Sequence, residues 1–78
     1  MYNGYYERLN EGDKKDYRCI VKKCQNIFIN YNAYDVLTFI NNYLYNLSDT
    51  VNCNYFLAIC KLEDYYMDIY KKEKNSSR

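Results

Sequence analysis

Four cysteines are the residues of this chain whose type and spacing could do chemistry. Cys19 and Cys24 stand five positions apart in "DYRCIVKKCQ", and Cys53 and Cys60 seven apart in "VNCNYFLAIC". The chain has no histidine. A thiolate nucleophile therefore has no imidazole base to activate it, and nucleophilic cysteine catalysis is disfavoured. Three readings of the thiols remain. Four thiolates make a closed structural zinc set, with no coordination position left for water. Two disulfides would staple the chain. Alternatively, the thiols pack as small apolar side chains, as free cysteines often do.

Zinc is the leading expectation, with Cys19, Cys24, Cys53 and Cys60 as ligands, because a small core gains most from a metal staple. The spacing imposes a condition. In a straight helix, residues five apart are turned by about 140° and separated by about 7.5 Å along the axis, and residues seven apart by about 10 Å. Sulfurs around one tetrahedral zinc lie only about 3.8 Å apart. One ion holds all four only if Cys19 or Cys53 lies off its helix. If both are helical in an up-down-up bundle, Cys19 is expected level with Cys53 and Cys24 with Cys60, as two separate pairs. Disulfides come last, because "MYNGYYERLNEGD" has no apolar signal core and the expected compartment is a reducing cytosol.

Nothing else resembles catalytic machinery. Glu63 with Asp64 and Glu7 with Glu11 read as solvated helix faces, and there is no phosphate-cradling glycine loop and no Ser-His-Asp set. No enzyme is expected. Eleven basic and ten acidic residues give a net charge of +1. That balance excludes a dense negative mimic of nucleic acid and disfavours charge-driven DNA binding. No apolar run approaches the roughly 20 residues that span a membrane.

These residues must be positioned by helices. Seventy-eight residues make one small domain, with no proline and with Gly4 and Gly12 as its two glycines. Helical periodicity dominates after Gly12. The first long helix is expected over 14–30, capped by Asp13, with Tyr17, Ile20, Val21, Cys24, Ile27, Phe28 and Tyr31 on its apolar face. "NIFINY" is also compatible with a short strand. The second is expected over 33–46, capped by Asn32, with Val36, Leu37, Phe39, Ile40, Tyr43, Leu44 and Leu47 on the stripe. Ser48, Asp49, Thr50, Asn52 and Asn54 each qualify as the cap of a third helix over 55–72. Its stripe is Tyr55, Ile59, Leu62, Tyr66 and Ile69, flanked by Phe56 and Cys60. Residues 1–13 form an N-terminal arm, with Tyr2, Tyr5, Tyr6 and Leu9 laid over the bundle, and residues 73–78 fray. The fold class is all-α, a small three-helix bundle with a short N-terminal element, stapled by zinc if the thiols converge.

Twelve tyrosines exceed what so small an interior can hold. Tyr34 and Tyr45 fall off the stripe of the second helix. Tyr65 falls off that of the third, where Glu63, Asp64 and Tyr70 join it on an outer face. These six are the expected partner-binding residues, stiff aromatic anchors among polar neighbours.

A chain of under a hundred residues, rich in Asn, Tyr and Lys as in "NIFINYNAYDVLTFINNYLYN" and lacking an enzymatic signature, resembles the small anti-CRISPR proteins of phages and mobile elements. The resemblance implies a stoichiometric inhibitor in the cytoplasm of a bacterial host. Its partner would be the RNA-guided nuclease of a type II CRISPR system, blocked in guide or target-DNA loading. Balanced charge departs from the DNA-mimicking members, so a protein lobe is the expected target. No functional residue carries over. The alternative is a small nucleic-acid-binding regulator using Lys14, Lys15, Lys22 and Lys23.

Overall fold

The computed structural model describes residues 3–47 and 51–76. Four helices follow one another: α1 (Gly4–Glu7), α2 (Glu11–Asn30), α3 (Ala33–Tyr45) and α4 (Cys53–Ser76), with no strand among the described residues. The fold is the expected all-α bundle, three long helices and a short N-terminal one. "NIFINY" is helical through Asn30.

An asparagine stands at the start of each helix, because its short side-chain carbonyl reaches the unpaired N–H groups of the first turn. The Asn3 carbonyl accepts from the Tyr5 and Tyr6 amides at 3.0 and 3.1 Å. Asn10 accepts from Asp13 at 2.8 Å. The second helix therefore starts at Glu11, three residues before its expected start, and Asp13 lies inside its first turn rather than capping it. Asn32 takes the Asp35 amide at 2.9 Å, as expected. Asn52 takes the Asn54 amide at 2.7 Å, and its backbone carbonyl accepts from Phe56 at 3.1 Å. So α4 opens at Cys53 rather than near Tyr55, and it runs on to Ser76, through residues expected to fray. The capping roles considered for Ser48, Asp49 and Thr50, the packing of Tyr2 and the fraying of residues 77–78 lie outside the described residues.

Only Tyr31 and Asn32 separate α2 from α3, so the two helices run antiparallel. Tyr43, near the end of α3, meets Tyr55, near the start of α4, and Tyr34 at the other end meets Tyr70. Hence α3 and α4 are also antiparallel, and α2 and α4 run in parallel, with Phe28 set edge-on to Tyr66 at 5.8 Å. The core takes Tyr17, Ile20, Val21 and Cys24 from α2 and Ala33, Val36 and Ile40 from α3. From α4 come Tyr55, Ala58, Ile59, Leu62 and Tyr66, with Leu9 closing the N-terminal side. These are the expected stripes with one correction. Tyr31 is 73% exposed, because α2 ends there and its backbone (φ −133°, ψ −105°) carries the ring away from the helix face. The molecule is elongated, 43 × 23 × 19 Å, with a radius of gyration of 12.9 Å, against roughly 11.5 Å for a rounder chain of this length.

Candidate functional site: a half-covered groove between α2 and α4

The thiols are decided first by where the helices begin. Cys19 lies well inside α2 and Cys53 is the first residue of α4, so neither lies off its helix. The condition for one ion to hold all four is not met. All four are free thiols, and no group of three or more Cys, Asp or Glu side chains among the described residues is placed to hold a metal. Their surroundings differ: Cys19 and Cys53 are exposed, Cys60 is half-buried and Cys24 is buried. Burial pushes the Cys24 thiol up to about 12. The Cys60 thiol is also raised, first by burial and then by the carboxylates of Glu63 and Asp64. The shift favours the protonated thiol in each case, which makes both poor nucleophiles.

The parallel pair α2 and α4 leaves a channel along the side away from α3. Its N-terminal half is filled by α1. This short helix packs on α4, and its Tyr6 ring lies 5.2 Å from that of Tyr17. Arg18 donates from Nη1 to the Tyr6 hydroxyl at 2.8 Å, and the Lys14 Nζ lies 5.6 Å from the centre of the Tyr6 ring. Arg18 and Gln25 are seven residues apart and share one side of α2. The C-terminal half of the same channel has no such cover among the described residues. It is a groove of about 280 Å³ lined by Gln25, Phe28, Ile29, Tyr65, Tyr66 and Ile69. Its walls follow from the local sequence. Ile29 falls off the α2 stripe beside Phe28, and Tyr65 falls off the α4 stripe between Leu62 and Ile69. Ile29 is accordingly 77% exposed and Tyr65 44%. The Tyr66 hydroxyl at the base is pushed up to about 12 by burial, then by the neighbouring Cys24 and Tyr65. The floor is therefore neutral and apolar.

The six tyrosine and carboxylate positions expected to bind a partner do not form one patch. Tyr34 and Tyr70 come together, their rings 6.0 Å apart, in a second groove with Asn32, Glu73 and Lys74. Glu63, two turns before Tyr70, shares its side of α4. Asp64 is exposed. Tyr65 lies on the opposite flank, in the α2–α4 groove. Tyr45 ends α3 and is 90% exposed, about 16 Å along the axis from Tyr34. Gln25, Phe28, Ile29 and Ile69 were not expected as site residues. Phe28 and Ile69 sit on the apolar stripes and read as core, but Ile29, a large apolar residue off the stripe, was a readable signal. The lysines also separate. Lys14 turns to Tyr6, Lys15 and Lys22 share one outer face, and Lys23 shares another with Asp16.

A scan against protein-family models, a search of curated proteins and a search of solved structures each found no match to this chain. No helix among the described residues is long and apolar enough to cross a membrane.

Proposed function

We propose that this chain is a non-enzymatic protein-binding inhibitor, with the RNA-guided nuclease of a type II CRISPR system as its target. The observation that carries the binding reading is the uncovered half of the α2–α4 channel, where Ile29 and Tyr65 stand in solvent beside Phe28 and Ile69. Contiguous apolar surface of this kind marks interaction sites on small proteins, and buried aromatic anchors dominate binding energy when a partner desolvates them. The nuclease as target rests on the resemblance in size and composition, and the balanced charge favours contact with a protein lobe over a DNA channel. The zinc reading of the cysteines has no gathered ligand set to support it and adds nothing to this function.

The test is a cleavage assay with a reconstituted type II nuclease and guide RNA. Inhibition that saturates near one chain per nuclease, with co-elution of the two proteins, is the expected result. Undiminished cleavage without co-elution removes this target. Retention on a DNA column that salt abolishes moves the chain to the nucleic-acid-binding reading.

A further inference from the structure

We infer that the uncovered half of the α2–α4 channel receives an acidic amphipathic helix of the partner protein, an assignment that rests on the protein-binding reading above. Two observations point to this occupant. The first is what already fills the other half: α1, a helical turn that packs on α4 and sets Tyr6 against Tyr17 of α2, followed by buried Leu9. The channel accepts a helix with aromatic and branched side chains on one side. The second is charge. Arg18, Lys22, Gln25 and Ile29 succeed one another at spacings of four, three and four along one side of α2, and Lys61, Tyr65, Asp68 and Lys72 do so along α4. Such positions share a flank. Arg18 lies under α1, against the Tyr6 hydroxyl, so beside the uncovered half the two rims carry three cations, Lys22, Lys61 and Lys72, against one carboxylate, Asp68, in a chain whose overall charge is only +1. A helix with carboxylates flanking an apolar stripe complements that rim. A second copy of this chain does not, since a two-fold contact through this face would set the same cations against each other. From Gln25 to Ile29 on α2, and from Tyr65 to Ile69 on α4, the groove spans about 6 Å, a little over one helical turn.

The probe is a pair of synthetic helical peptides of about 16 residues with Leu and Phe on one stripe. One carries Glu on both flanks of the stripe and the other carries Lys. Each is titrated into the isotope-labelled full chain. The Glu-flanked peptide should shift the amide signals of Gln25, Phe28, Ile29, Tyr65 and Ile69, and bind about tenfold or more tightly than the Lys-flanked one. Ile29→Glu, at an exposed site that tolerates charge, removes the apolar wall and sets a carboxylate against the probe's own, so it should abolish those shifts while the helical circular dichroism is retained. Equal affinity for the two peptides, or shifts centred elsewhere, overturns the assignment. So does a concentration-dependent dimer that Ile29→Glu dissolves, which makes a second copy the occupant. Ile29-dependent binding to phosphatidylserine vesicles with no peptide binding also overturns it. The nuclease assay separates the two levels. If Ile29→Glu inhibits as well as the wild type, the groove assignment falls and the protein-binding reading stands. If the wild-type chain neither inhibits nor co-elutes, the nuclease reading falls, and the peptide titration decides the groove by itself.

Discussion

The Tyr43 and Tyr55 hydroxyls hydrogen-bond to each other where α3 crosses α4, and Tyr55 is buried. Tyr43→Phe leaves the Tyr55 hydroxyl without that partner and should cost about 1–2 kcal/mol. The double variant with Tyr55→Phe should cost less than the two single changes combined, as urea unfolding will show. The same interior predicts a response to alkali. Burial lifts Cys24 and Tyr66 to about 12 from ordinary values of 9.0 and 10.0, and lifts Tyr55 as well, with Tyr43 and the carboxylates of Asp16 and Asp13 adding to it. In each case the fold favours the protonated form, so the unfolded chain releases its protons first. Stability is fully present below pH 9 and is lost as pH rises from there towards 12. A Tm series from pH 7 to 11 should be flat at first and then fall. A Tm that holds level to pH 11 contradicts the burial of these groups. Among the thiols, a maleimide should label Cys19 and Cys53 in the native protein and reach Cys24 only on unfolding. Cys24→Ser should destabilise by about 1–3 kcal/mol, and Cys19→Ser and Cys53→Ser by less than about 0.5 kcal/mol. Elemental analysis showing one metal per chain, with unfolding on chelation, would restore the shared-ion reading.

Helix identity was legible in the chain, because the apolar residues recur at three and four and no proline interrupts them. Helix starts were only partly legible, since several capping residue types compete within a few positions. Asn10 prevails over Asp13 because the earlier start leaves Glu11 and Asp13 in the first turn, where the helix dipole favours carboxylates, and it follows directly on buried Leu9. That choice, with Asn52 opening α4 at Cys53, carries Cys19 and Cys53 onto helices, where the spacing along each helix keeps one ion from all four thiols. Asn32 has no rival in its two-residue link, and Asn32→Ala should cost about 1 kcal/mol by thermal or urea unfolding. The exposed tyrosines were legible as residues off a stripe. Their grouping was not, because it depends on how each helix is rotated against its neighbour. Tyr34 meets Tyr70 across α3 and α4, and Tyr65 faces α2. The groove is the part of the channel that α1 does not fill, and no pattern within α2 or α4 encodes how far that cover reaches.

The assembled molecule has little stability to spare. At roughly 0.05–0.15 kcal/mol per residue, a chain of this size holds about 4–12 kcal/mol. Leu62 is fully buried in the middle of α4, and Leu62→Ala should remove about 2–5 kcal/mol, visible as a lower urea midpoint and for a weakly stable fold as outright unfolding. Ile29→Ala, at the groove wall, should change stability by less than about 0.5 kcal/mol. That contrast separates residues that hold the body together from residues it displays. The order of the elements has a consequence for synthesis. Every other helix rests on α4, which the ribosome makes after the other three. Until Tyr66 has been added, Tyr17, Val21 and Ile40 face solvent or one another, and the growing chain has no finished interior to hide them in. Folding thus waits until α4 has been made, and a message cut short before this helix yields an adhesive peptide in place of a weaker version of the protein.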